Sequence, residues 1–308
     1  MPSRPAPTSV PRPPEPARFW ADAEVVVAPE DPRPGSWAGG PSAQLVHGTW
    51  WLAYRLRRPV GEGRGFANVI ARSDDGVRFT PVGGVGKDAF GAESLERPAL
   101  VHTPDGRWRL YVSCATPGTR HWRVDLLEAA TVEGLLTATP RTVLPGSDTA
   151  AVKDPVIRHD GRRWHLWASV HPLDDPDATD RMTTEHATSD DGVDWTWQGT
   201  ALTGTPGTWD ARGVRFAAVV LDGDRSWALY DGRATAAENW EERTGLAMGN
   251  GDGRFRAAPG GPLLQSPHTP GGLRYADAVA LPGGGTRWFY EATRADGAHE
   301  LRTVVLPG

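Results

Sequence analysis

The chain has 308 residues, a formal net charge of −5 and a pI near 6.0, so it carries no basic footprint for nucleic acid. The single cysteine, Cys114, excludes an intrachain disulfide, and no cysteine–histidine spacing could hold zinc. No apolar run approaches the ~18 residues of a membrane span, and 37 glycines and 28 prolines punctuate the chain too densely for long helices.

Residues 1–18, MPSRPAPTSVPRPPEPAR, read as a disordered proline-rich tail of polyproline type. They lack the apolar core of a signal peptide, which makes the cytoplasm the expected location. The segment AEVVVAP at 23–29 is a strand with no partner nearby in sequence. After it one sentence is written five times: GPSAQLVHGTWWLAYR from Gly40, RPALVHTPDGRWRLYVS from Arg97, DPVIRHDGRRWHLWAS from Asp154, RFAAVVLDGDRSWALYD from Arg215 and DAVALPGGGTRWFYEA from Asp277. The anchoring tryptophans, Trp51, Trp108, Trp164, Trp227 and Trp288, are 57, 56, 63 and 61 residues apart. A second marker, the glycine of SDDGVRF, TVEGLL, SDDGVDW and GNGDGRF, keeps nearly the same period.

Repeats of this length made of short strands are blades. Residues 19–308 are therefore expected to form an all-β, five-bladed β-propeller of four-stranded antiparallel blades around a central axis. The blades fall at about 41–82, 98–144, 155–202, 210–265 and 274–306. The last contains only three strands, so Val25–Val27 is expected to supply its fourth, closing the ring and covering two exposed edges. The SDDG segments read as tight turns in which Asp braces the backbone and Gly supplies positive φ. Cys114, inside the strand YVSCA, reads as a buried, inert thiol.

In such a blade the first strand starts at the axis and the second returns to the same mouth. The starts supply Gly40, Glu96, Arg97, Lys153, Asp154, Asp210, Arg215 and Asp277, and the ends of the second strands supply Arg55, His171, Asp231, Arg233 and Glu291. Folding does not require charge there, and carboxylates and guanidiniums sharing a concave site shift one another's pKa values. The mouth is read as a ligand site, the alternative being an axial lattice of ion pairs. Arg97, Arg215 and Arg233 point to a ligand carboxylate or phosphate, or else to pairing with the neighbouring acids. Two connectors border the mouth: the acidic stretch 171–186, a candidate lid, and residues 209–245, where Glu238 and Trp240 look like a sugar-binding wall. A short exposed helix at AAENWEER is the other reading of that wall.

Two of these segments carry a family resemblance. KDPVIRHDGRRWHLWAS is similar to the glycoside hydrolase family 43 segment whose aspartate tunes the acid's pKa, and WDARGVRFAAVVLDGDRSWALYDGRA resembles the fourth-blade stretch of family 32. Over about residues 40–306 the chain resembles the five-bladed glycoside hydrolase superfamily, with no single family matched. The resemblance implies a pKa-tuning role for Asp154 and places Asp210 at the start of the fourth-blade motif. It also exposes a departure: Gly40 stands where families 43 and 32 carry a first-blade catalytic aspartate. Hydrolysis needs an acid and a second carboxylate about 5–9.5 Å apart, and Asp154, Glu96, Asp210 and Asp277 are the candidates, with Asp31 a remote substitute. Two functions stay open: a glycosidase-type enzyme on a small glycoside or oligosaccharide, or a propeller that binds a carbohydrate or polar metabolite, or catalyses a different reaction, without hydrolysis. No cofactor, metal, nucleic acid or membrane partner is assigned, and oligomeric state is open.

Overall fold

The computed structural model describes residues 10–223 and 225–307. A short strand, β1 (Glu24–Val27), precedes five antiparallel sheets. The first blade is β2 (Trp37–Val46), β3 (Thr49–Arg57), β4 (Gly65–Ser73) and β5 (Thr80–Gly86). The second is β6 (Leu95–His102), β7 (Trp108–Ala115), β8 (Trp122–Ala129) and β9 (Arg141–Leu144). The third is β10 (Ala150–His159), β11 (Trp164–Pro172), β12 (Thr183–Ser189) and β13 (Thr196–Leu202). The fourth is β14 (Gly213–Val220), β15 (Trp227–Arg233), β16 (Arg243–Gly249) and β17 (Phe255–Ala257). The fifth has β18 (Leu273–Ala280), β19 (Thr286–Thr293) and β20 (His299–Leu306), and β1 pairs antiparallel with β20 through Glu24–Thr303 and Val25–Arg302. The early strand thus completes the last blade, and a single parallel bridge, Trp37 to His299, links that blade to the first.

Apolar alternation supplies the packing between blades. Leu110, Trp108 and Cys114 of β7 pack on Ala53 and Ile70 of blade one, while Leu166, Trp164 and Ala168 of β11 pack on Tyr111 and Val124 of blade two. Cys114 is fully buried and burial pushes its thiol up, as an inert core residue requires. The two SDDG turns are one structure used twice. Asp75 Oδ1 accepts from the amides of Val77 and Arg78 and Ser73 Oγ from Gly76; Asp191 and Ser189 repeat these bonds to Val193, Asp194 and Gly192. Their aspartates brace backbone.

Part of the expected tail behaves otherwise. Residues 1–9 lie outside the described residues, but Pro11 accepts a hydrogen bond from Trp227 Nε1, and Pro16–Ala21 forms a helical turn that buries Phe19. Phe19 is 1% exposed, 4.6 Å from the Tyr290 ring and edge-on to Trp288. The proline-rich composition gave no sign of FW, the apolar pair that anchors this segment. Phe19→Ala should lower the unfolding free energy by about 3–5 kcal/mol in urea titrations. A loss below about 1 kcal/mol would mean that this segment stands outside the cooperative unit.

Candidate functional site

At the start of each first strand the ladder to the second is interrupted or displaced, and the axial side chains sit there. Register places Gly40, Glu96, Asp154 and Tyr275 at the first unpaired position of blades one, two, three and five, with Arg97 beside it in blade two, while in blade four the break falls at Ala217 and Arg215, two residues earlier, pairs with Asp231. Three of them share a left-handed backbone: φ is +60° at Gly40, +53° at Asp154 and +56° at Tyr275. Tyr275, rather than Asp277, therefore takes the position of Asp154 in blade five. Asp277 lies two residues on, pairs with Arg158 at 3.1 Å and accepts from the Ala43 amide at 2.8 Å. Ala43 and Arg158 line a separate cavity at the far ends of the first strands, so Asp277 is removed from the mouth.

The mouth holds a cavity of about 440 Å³. Of the residues assigned to the site from sequence, Arg55, Glu96, His171, Arg215, Arg233 and Trp240 line it. Asp154 lies directly beneath, fully buried, with Oδ2 accepting from Arg215 Nη1 and the Tyr275 hydroxyl, each at 3.3 Å. Burial works to raise its pKa, but Lys153, Arg215, Arg55 and Arg97 together hold it below the ordinary carboxylate value. Tyr275 spreads its ring under four guanidiniums, those of Arg55, Arg97, Arg215 and Arg274, with the Arg215 carbon 3.9 Å from the centroid.

The remaining assignments fall away from the cavity. Arg97 is buried and spends its donors on the Pro41 and Ala217 carbonyls. Asp231 is fully buried behind Arg215, which it bonds at 2.9 Å, and it receives the Tyr275 amide; burial pushes its pKa up to about 6 despite that cation. Asp210 belongs to the loop before β14, where Thr208 and the Tyr230 hydroxyl bond it. Glu238 caps the turn Ala236–Glu238, accepting from the Ala234 and Thr235 amides and pairing with Arg243. That turn is the reduced form of the helix considered at AAENWEER. Asp31 is held by Arg33 near the surface, away from the cavity.

Sequence reasoning placed Lys153 and Glu291 at the mouth without weighing them, and it did not find the pairing role of Glu242 or the parts of Arg274 and Trp37. Glu242 receives Arg233 and Arg274; Glu291 receives Arg274 Nε at 2.6 Å, Arg55 at 3.1 Å and the His299 ring at 2.7 Å. Burial opposes the charge on Glu242, but Arg274, Arg215 and Arg233 keep its pKa far below the usual range. Gly39 is needed because a Cβ there would overlap the Glu291 carboxylate. Glu96 is paired with Arg55 at the cavity wall. His171 donates from Nδ1 to the Thr179 carbonyl and accepts at Nε2 from Ser169, and burial lowers its pKa to about 3, so it stays neutral. The stretch 171–186 is fastened to blade four through Asp180 on Arg212 and Met182 on Val214. At the rim Arg57 lies between Trp37 and Trp240, 4.3 and 4.7 Å from their rings, and Trp240 holds φ at +81°.

Comparison with solved structures settles the architecture. The chain superposes on a thermostable family-43 glycoside hydrolase over 92% of its own length and 93% of that chain, with a TM-score of 0.68 and 12% identity. The fold is that of the propeller glycoside hydrolases. An alpha-L-arabinofuranosidase from Lactobacillus brevis matches with a TM-score of 0.67 and 14% identity, over 90% of this chain and 92% of that one. The beta-1,2-mannobiose phosphorylase from Listeria innocua matches with 0.65 and 14%, over 92% and 91%. No family model and no curated protein sequence matches the chain.

The site's acids are thus structural as well as polar. Glu242→Gln leaves two buried guanidiniums short of a counter-charge and should cost about 3–5 kcal/mol at pH 7. Because folding depresses this pKa, the wild-type advantage is complete above an ordinary glutamate's 4.5 and drains away as pH falls below it. Paired melting curves of the two proteins at pH 7 and pH 3.5 should therefore lie closer together at the lower pH without meeting.

Proposed function

We propose that this chain holds a small glycoside or oligosaccharide in the axial pocket and does so without two-carboxylate hydrolysis. The observation that carries this is the commitment of the acids: Asp154, Asp231, Glu242, Glu291 and Glu96 are each bonded to arginine, and Gly40 occupies the first-blade position. A hydrolytic pair needs one carboxyl that keeps its proton near neutral pH beside one that is free to attack or to deprotonate water. Asp231 approaches the first requirement, yet it lies outside the cavity lining. The pocket's size, the exposed Trp240 at its rim and its polar lining support saccharide binding. So do the sugars named for the structural neighbours, a mannobiose and an arabinofuranoside. We also read the five blades as a closed ring, a reading supported by β1 on β20 and by the Trp37–His299 bridge.

A hydrolytic reading retains one supporting observation. Glu96 lines the cavity, has 12% of its side chain exposed and, among the described residues, pairs with Arg55 alone. A screen of chromogenic arabinofuranosides, xylosides, fructosides and galactosides should give no turnover, while a saccharide from the same set raises the melting temperature. Turnover that disappears in Glu96→Gln would instead establish a hydrolase with its acid in blade two, and turnover that disappears only in Asp154→Asn one that depends on blade three.

Gly40→Asp tests the first-blade position from the other side. Asp154 already adopts nearly the same φ, and a Cβ at Gly40 meets Arg97 no closer than 3.4 Å. The variant should fold at a cost of about 1–2 kcal/mol for the left-handed backbone. It should also remain inactive in the same screen, because the other acids stay paired.

A further inference from the structure

The cavity lining carries eight arginines and lysines against three acids, and cations remain in excess after the buried carboxylates Asp154, Asp231 and Glu291 behind it are included. Most of that positive charge is spoken for. Arg55, Arg215, Arg233 and Arg274 donate to carboxylates, and Arg57 donates to the Gly35 carbonyl. Lys153 differs. Among the described residues its Nζ makes no hydrogen bond, and its carboxylate neighbour, Asp154 Oδ2, stands 3.9 Å away and already receives Arg215 and Tyr275. The ammonium lies 4.8 Å from the Trp122 ring, with 14% of the side chain exposed to the pocket. An ammonium that opens onto the pocket without a close acceptor is free to donate to an anion arriving there, with the added strength of a charged hydrogen bond.

We infer that Lys153 receives an anionic group, a carboxylate or phosphate, and that the pocket's ligand is therefore an acidic saccharide or a saccharide bound beside a free oxyanion. This rests on the saccharide reading above. It also transfers the anion contact expected of Arg97, Arg215 and Arg233 to a residue whose hydrogen-bond donors are unused among the described residues.

The charged groups facing Lys153 are Asp154 on its own strand, Arg215 on β14, Arg55 on β3, Glu242 before β16 and His171 on β11. Burial lowers its pKa most, Asp154 opposes that, and Arg215 lowers it further, to about 8. The ammonium is thus complete at pH 6.5 and is lost as pH rises through 8, and anion affinity should follow it. D-glucuronate keeps its charge across this range, so the pH dependence it shows belongs to the protein.

The test is calorimetric titration of full-length wild type, Lys153→Met and Lys153→Arg with D-glucuronate, inorganic phosphate and D-glucose. At pH 6.5 wild type should bind glucuronate or phosphate at least about tenfold more tightly than Lys153→Met, the effect of one charged hydrogen bond. Lys153→Arg should retain most of that affinity, glucose binding should be alike in all three, and wild type at pH 9.5 should resemble Lys153→Met. Equal anion binding by wild type and Lys153→Met overturns the inference, as does a wild type that binds glucose but neither anion. Failure of the anions and of every saccharide in the screen would remove the saccharide reading as well.

Discussion

Arg215 lies on the first strand of blade four, and its guanidinium touches Asp154 of blade three, Asp231 of blade four and the face of Tyr275 from blade five. Charges buried this deeply are tolerable only when paired and hydrogen-bonded. That condition propagates outward: Asp231 takes the Tyr275 amide, Glu242 binds Arg233 and Arg274, and Arg274 binds Glu291, which holds Arg55 and His299. The axis is filled by one continuous lattice of alternating charge, and every blade contributes a residue to it or, at Gly39, the space for one.

Such a lattice competes with catalysis for the same groups. A carboxylate that serves as acid or base must change protonation during turnover, whereas one paired with two guanidiniums is fixed in its charged state. Glu242 and Glu291 are held far on the charged side by this pairing. Asp231 is displaced in the opposite direction by burial, but the Arg215 side chain and the Tyr275 amide occupy its oxygens. Rigidity is the compensating property. A pocket whose walls are cross-linked by charge presents a preformed shape, which lowers the ordering cost of binding a flexible, hydrated ligand.

The architecture was legible because its signals are local. A tryptophan at the head of each second strand and the SDDG turns lie within a few residues of the structure they specify, while the orphan strand β1 could be matched to the far end of the chain because the last repeat has only three strands. The mouth was legible only as a list of charges, since a pair such as Arg55 and Glu291 joins residues 236 positions apart. Aspartates also drew attention that the backbone does not support. Asp210 and Asp277 begin recognisable motifs, yet the one ends in a loop and the other lies two residues past the axial position, where Tyr275 stands. A carboxylate was expected there, and an aromatic ring under four guanidiniums serves the same electrostatic end.

The three left-handed residues Gly40, Asp154 and Tyr275 show why side-chain chemistry can vary at one position while the fold persists. Their shared φ, between +53° and +60°, is imposed by the irregularity that turns the first strand onto the axis. Glycine adopts it freely, aspartate is among the residues that tolerate it, and a bulky tyrosine does so only with strain. The strain at Tyr275 persists because its hydroxyl, amide and ring are each engaged, by Asp154, by Asp231 and by the arginines. Gly40 has no such engagement to lose. The first-blade position is therefore the place where a carboxylate is absent at least cost to the lattice.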